Sequence, residues 1–271
     1  MVFENTQKEN TECFVIFTDL DDTLLDQNYK YTDTVPLLRV LKEKNVPIIF
    51  CSAKTFTEQQ VYRKRMGLKH PFIVENGSAI YIPRGYFKER KRETVGDYEV
   101  ILLGVESEKI KKEIESLRTE YYIRSYCNMT TEEVAKQMNL DLESAKRAKD
   151  RQFTETVIEA DEKALEALRT KFNVMFGGRA IEVSGKGADK GKAVTLLTDM
   201  YKELGKVVTI GLGNSYNDEP MLKAVDVPVV VKNPDGNWVD INIDGLRKAS
   251  GIGPKGWRES IRELVLGGSD E

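Results

Sequence analysis

The chain alternates short apolar runs with amphipathic stretches near both ends and loses that rhythm in the middle. Cys13 to Thr18 is a continuous apolar run, which predicts a buried parallel strand ending in the acidic cluster Asp19-Leu20-Asp21-Asp22. Asp33 or Thr34 then caps a helix with Pro36 in its first turn and Leu37, Leu38 and Leu41 on one face. Val46 to Phe50 reads as a second strand ending at Cys51-Ser52, followed by a helix that stops at Gly67, and Phe72 to Val74 reads as a third. This rhythm predicts an α/β fold, a doubly wound Rossmann-like parallel-sheet core with ligands at the carboxyl ends of its strands.

From about Arg84 the texture changes. The charged run KERKRE leads to a strand near Tyr98–Leu103, and Ile110, Ile114 and Leu117 mark a helix. Short helices over 131–138 and 142–149, a strand from Phe153, a helix from Asp161 and a strand pair near 172–183 complete an α+β insertion with its helices on one face. The core rhythm resumes after Gly185-Lys186-Gly187: an amphipathic helix carries Ala193, Leu197, Met200 and Tyr201, and Val207–Ile210 and Val227–Val231 are buried strands. The predicted division is a core of residues 1–83 with 186–271 and an inserted cap of residues 84–185.

Charge and composition narrow the chemistry. Lys and Arg number 41 against 44 Asp and Glu, a net charge of −3, which offers no general field for nucleic acid or an anionic membrane. The single histidine, His70, excludes a histidine-rich metal centre. Three separated cysteines with no C-x-x-C pair fit a reducing compartment. The first dozen residues are polar, unlike a secretory signal, and no apolar run reaches membrane-span length, so a cytoplasmic protein is expected.

The polar residues at the strand ends carry the functional signal. Asp19-x-Asp21-x-Thr23 places two carboxylates where a buried strand stops, an arrangement that a cation or ligand must offset; capping of the next helix is the plainer reading. Ser52 ends the second strand with Lys54 two residues on, suited to a phosphoryl oxygen or, again, to a helix cap. Lys190 stands at a helix start, against the macrodipole, which makes sense if it faces carboxylates and phosphate. Gly213-Asn214-Ser215-Tyr216-Asn217-Asp218 follows a buried strand, and Asn214, Asn217 and Asp218 offer hard oxygen ligands suited to Mg²⁺.

In this order the four segments resemble the motifs of the haloacid dehalogenase superfamily of aspartate-nucleophile phosphatases, in its sugar-phosphatase branch with an α/β cap. CSAKT (51–55), PFIVENGSAIYIP (71–83), AKDRQFTE (148–155), GGR (177–179) and DKGKA (189–193) are similar to the mannosyl-3-phosphoglycerate phosphatases in particular, over about residues 13–265. The resemblance implies Asp19 as nucleophile, Asp21 as acid–base, Ser52 and Lys190 on the phosphoryl oxygens, and Mg²⁺ held by Asp19, Asp21, Asn214 and Asp218. It also implies a small phosphorylated sugar-glycerate substrate and the making of a compatible solute. Lys54 is expected at the phosphoryl group and Arg179, Arg151 and Lys186 at the substrate carboxylate, with Glu155 and Asn76 making sugar or positioning contacts and Asn217 also binding substrate; an Arg151–Glu155 structural ion pair is the alternative. Two positions depart from the pattern: Asp22 where glycine is usual, and Asn214 where the first motif aspartate is usual. A glucosyl-3-phosphoglycerate or other sugar-phosphate substrate stays open. So does a weakly active phospho-sugar binding protein, although retention of Asp19, Asp21, Ser52, Lys190 and Asp218 argues against it.

Overall fold

A computed structural model describes residues 13–88, 92–176 and 180–268. The first dozen residues, residues 89–91 of the charged run and Arg179 with its two glycines lie outside that set. The first segment comprises β1 (Cys13–Thr18), α1 (Val35–Glu43), β2 (Ile48–Phe50), α2 (Phe56–Met66), β3 (Phe72–Val74), β4 (Ala79–Pro83), β5 (Glu93–Val95) and β6 (Tyr98–Leu102). The insertion follows as α3 (Ser107–Leu117), β7 (Ile123–Ser125), α4 (Thr131–Met138), α5 (Leu142–Lys149), β8 (Thr154–Ala160), α6 (Glu162–Lys171), β9 (Phe172–Phe176) and β10 (Ile181–Gly185). The chain then returns through α7 (Lys190–Lys202), β11 (Val207–Gly213), α8 (Glu219–Lys223), β12 (Val227–Lys232), β13 (Arg247–Ile252) and α9 (Pro254–Leu266).

Five strands pair in parallel in the order β13-β12-β11-β1-β2. The near-continuous apolar sequences of β1, β2, β11 and β12 follow from burial on both faces. Ile16, Phe50, Ile210 and Val229 face one cluster, whereas Val15, Phe17 and Ile49 face a second, against Ala193, Leu197 and Tyr201 of α7. Trp257 of α9 is fully buried, and its indole N–H donates to Thr18 Oγ1 (3.1 Å), so this tryptophan packs the core. The strand order brings the ends of β1, β2 and β11 side by side, which is where the acidic cluster, Ser52 and the 213–218 turn were expected to meet.

A second sheet, β3-β4-β6-β5, continues from the first through one parallel bridge, Cys51 to Ile73. Tyr98–Leu102 is hydrogen-bonded in register along Ala79–Pro83, so the sheet runs across the division expected at residue 84. Local pattern identifies a strand, but which free edge it joins depends on partners distant in sequence. The connection to the insertion is tight. A Cβ on Gly187 would lie 2.2 Å from the Leu103 carbonyl oxygen, and one on Gly185 would lie 2.7 Å from the Val105 nitrogen. Two backbone strands therefore pass at a distance only glycine permits.

The insertion's own antiparallel sheet has the order β7-β8-β10-β9. Val157 and Val183 meet α3 and α6 on one face, through Ile110, Ile114, Leu165 and Leu168. On the other face Ile158 packs beside α4 and α5 with Tyr126 and Met129, so helices flank both sides rather than the single side expected. Among the described residues no helix is long and apolar enough to cross a membrane.

Candidate active site

A cleft of about 410 Å³ opens between the carboxyl ends of the parallel strands and the face of the insertion's sheet. Asp19 closes β1, and its amide donates to the Leu212 carbonyl of β11 (2.9 Å), which sets the carboxylate beside the 213–218 turn. Lys190, only 2% exposed, reaches Asp19 Oδ1 at 3.1 Å and Asp218 Oδ1 at 2.6 Å. Burial works against a charge on Lys190, but these two carboxylates outweigh it and hold the ammonium above the usual lysine range. On Asp19 burial wins. With Asp218 and Asp21 adding to it and Lys190 opposing, the carboxyl is pushed up to about 7.

Asp218, expected among the metal ligands, is hydrogen-bonded through both oxygens. One oxygen takes Lys190; the other accepts from the Asn214 amide (3.0 Å), the Ser215 amide (3.1 Å) and the Ser215 hydroxyl (3.1 Å). It shapes the turn from behind, and Gly213 is required there because an added Cβ would fall 2.5 Å from the Asp218 side chain. Asn214 faces the cleft, with Oδ1 accepting from Thr23 Oγ1 (2.9 Å) and Nδ2 donating to Asn233 Oδ1 (2.7 Å). These residues fit a hard dication. The surplus of buried negative charge at Asp19 calls for one, and Asp19 with the second lone pair of the Asn214 amide oxygen supplies hard donors.

Asp21 is more open, and Lys54 holds it at 3.0 Å. Lys54 also lies 3.7 Å from Glu58 and 4.8 Å above the Tyr29 ring. Burial disfavours its charge, yet Asp21 and Glu58 raise it above the usual range, so Lys54 orients the carboxylate as an ammonium ion. Ser52 is 1% exposed at the end of β2, and its hydroxyl accepts from the Lys54 amide (3.4 Å). Neither Ser52 nor Lys54 starts α2. Thr55 caps it in a box with Glu58, and the Thr55 hydroxyl donates onward to the Arg147 carbonyl of α5 (2.9 Å), joining core to insertion.

Strand alternation sorts the expected substrate residues. Thr156, Glu182 and Met175 are neighbours across β8, β10 and β9, and all three line the cleft. Glu155 pairs with Val183 and therefore points away, toward α3 and α6; it is 1% exposed and accepts from the Cys127 amide (2.8 Å). Its expected sugar contact is corrected by that single-residue offset. Arg151 does face the cleft, but its partner is Glu182 (3.0 Å), not Glu155, and it also donates to the Ala53 carbonyl at 3.3 Å. Lys186 is a second correction: it donates to the Thr170 carbonyl (2.7 Å) on the exposed outer side of the insertion. Asn76 and Asn217 both line the cleft, hydrogen-bonded to each other at 3.3 Å. Glu182 and Tyr29 are cleft residues that sequence reasoning missed; both sit in stretches with no motif, and only their β-sheet register or loop path brings them in. His70 is held by Tyr86 (2.8 Å), and burial together with Arg63 pushes it down to about 4, so it packs as a neutral ring.

The sequence pattern described as haloacid dehalogenase-like hydrolase matches residues 16–241. The chain is a haloacid dehalogenase-like hydrolase. This hydrolase is 42% identical over 264 residues to a glucosyl-3-phosphoglycerate/mannosyl-3-phosphoglycerate phosphatase of Methanococcoides burtonii, covering 93% of this chain and 97% of the relative. It is 40% identical over 220 residues to a mannosyl-3-phosphoglycerate phosphatase of Pyrococcus horikoshii, covering 80% and 90% of the two chains. A solved phosphatase of the same superfamily from Bacteroides thetaiotaomicron superposes with a TM-score of 0.65 at 16% identity, covering 96% of this hydrolase and 98% of that chain, a likeness of fold. The parallel core with its inserted antiparallel sheet is thus the superfamily's architecture.

Proposed function

We propose that this hydrolase is a Mg²⁺-dependent cytoplasmic phosphatase that removes phosphate from mannosyl-3-phosphoglycerate, releasing mannosylglycerate. The observation that carries the reading is the convergence of Asp19, Asp21 and Ser52 on one cleft roofed by polar groups of the insertion, with Lys190 bonded to Asp19, in a chain whose relatives bear that activity in their names. The Methanococcoides relative is named for both epimers, which favours acceptance of the glucosyl substrate as well.

Asp19 forms the bond to phosphorus as the ester P–O bond breaks, and Asp21 gives its proton to the departing glycerate oxygen. Water then attacks the aspartyl-phosphate and passes a proton to Asp21, releasing phosphate and restoring Asp19. Lys190 and the Ser52 hydroxyl balance charge on the phosphoryl oxygens. Asp19, Asn214 and the Asp21 backbone would hold Mg²⁺, which neutralises charge there when bound. Arg151 faces the substrate carboxylate, and Asn76, Asn217, Thr156 and Glu182 face the sugar hydroxyls.

Phosphate release with Mg²⁺ and with EDTA tests this, comparing the mannosyl and glucosyl esters with hexose phosphates. Mg²⁺-dependent turnover of the mannosyl ester above the hexose phosphates is expected. Turnover of hexose phosphates alone would overturn the substrate, and absence of turnover on any ester would overturn the activity. A companion prediction concerns Asn214→Asp. A third carboxylate beside Asp19 and Asp218 should tighten Mg²⁺ by about tenfold in calorimetry, because ligand charge tunes affinity. The same change should lower Tm in EDTA, where nothing offsets the added repulsion and the Asn233 contact is lost.

A further inference from the structure

The turn after β3 is strained beyond what a substrate contact from Asn76 requires. Glu75, Asn76 and Gly77 have φ of 48°, 54° and 85°, three successive left-handed residues, two of them bearing side chains. Such strain persists only where the surroundings over-determine it. Here they do so from three directions. A Cβ on Gly77 would lie 2.3 Å from the Asp189 carbonyl and 2.6 Å from the Lys190 nitrogen, so the turn is pressed against the start of α7. The Glu75 amide donates to the Lys54 carbonyl (3.2 Å) and the Asn76 amide to the Ser52 carbonyl (3.0 Å). The side chains reach the other way. The fully buried Glu75 carboxylate accepts from the Gln152 amide (2.9 Å), the Phe153 amide (3.0 Å) and the Thr154 hydroxyl (2.6 Å) of the insertion.

Asn76 spans the remaining gap. Its Nδ2 donates to Glu182 Oε1 of the insertion (2.8 Å), and its Oδ1 accepts from Asn217 Nδ2 of the core (3.3 Å). An amide has one donating and one accepting end. With Glu182 taking the donating end, the accepting end is turned to Asn217, the neighbour of Asp218 that holds Lys190. We propose that Asn76 is a positioning residue that ties docking of the insertion onto the core to the ordering of the 214–218 turn, so that the phosphoryl site is fully set only when the insertion is seated. This goes beyond the proposed phosphatase reading and rests on it only where turnover is measured.

Asn76→Gly is the direct test, because glycine keeps the left-handed backbone and removes only the amide. Hydrogen exchange of the Asn214 and Ser215 amides should accelerate about tenfold, the scale of one lost hydrogen bond, with Tm within about 3 °C of the parent. The kcat for mannosyl-3-phosphoglycerate and that for para-nitrophenyl phosphate should both fall about tenfold, because both esters use the phosphoryl site, whereas loss of a sugar contact would lower only the first. Asn76→Asp sets two carboxylates together and should act like glycine; Asn76→Asp combined with Glu182→Gln reverses donor and acceptor and should restore slow exchange and turnover of para-nitrophenyl phosphate. Unchanged exchange in Asn76→Gly, loss confined to the mannosyl ester, or no restoration in the double variant would overturn the proposal. If the parent hydrolyses neither ester, the phosphatase reading fails, and exchange in the single and double variants still decides this one.

Discussion

Asp19→Asn is expected to lose at least about 10⁴-fold in kcat while remaining folded, since removal of a nucleophile eliminates the covalent route rather than weakening it. The structure adds a stability signature. Burial, with Asp218 and Asp21 added, pushes the Asp19 carboxyl up to about 7. A carboxyl raised in the folded state binds its proton more tightly there than in the unfolded chain. Its contribution is therefore complete below the ordinary carboxylate range and is lost as pH rises through about 7. Asparagine does not titrate. In EDTA the variant should melt above the parent at pH 8, with the difference shrinking toward pH 5. Mg²⁺ should reduce the gap at pH 8 by offsetting the parent's buried charge. Wild-type turnover in this variant, or a melting difference independent of pH, would sink the assignment of Asp19.

Lys190→Ala should cost both stability and activity. The ammonium is the direct partner of two nearly inaccessible carboxylates, at 3.1 and 2.6 Å, and its loss leaves them facing each other. Breaking a buried pair from one side costs about 3–5 kcal/mol, or roughly 10 °C in Tm for a chain of this size. Loss of a charge aimed at the phosphoryl oxygens should lower kcat by about 10³-fold. The two effects separate in the double variant Lys190→Ala with Asp218→Asn. Removing one carboxylate should recover part of the lost Tm, measured calorimetrically at pH 8, and none of the lost kcat. Recovery of turnover would mean that Lys190 served only to neutralise Asp218.

The elements of the core were legible because each carries its signal locally. The apolar runs at Cys13–Thr18 and Val207–Ile210, the Gly67 stop and the Leu37–Leu41 helix face need no distant partner to be recognised. The same holds for Asp19, Asp21, Ser52 and Lys190, which stand at element ends that the hydrophobic pattern delimits. Legibility failed where position depended on register. Glu155 and Thr156 are adjacent in the chain, yet only one faces the cleft, because pairing of β8 with β10 places Glu155 opposite Val183 and Thr156 opposite Glu182. Asp218 illustrates a different limit: its residue type suits a metal, and only the tertiary structure shows that its four hydrogen bonds come from Lys190 and the 214–215 turn.

The amino-acid sequence by itself determined the doubly wound core and the presence of an insertion and singled out Asp19, Asp21, Ser52 and Lys190 as candidates, since hydrophobic period and element-end chemistry are properties of contiguous residues. The tertiary structure alone decided the rest. It joined Tyr98–Leu102 to the core-side sheet, paired Arg151 with Glu182 instead of Glu155, and turned Lys186 outward to the Thr170 carbonyl. Each of these outcomes is a choice among partners tens of residues apart, made by which edge, acceptor or counter-charge is within reach once the chain has packed.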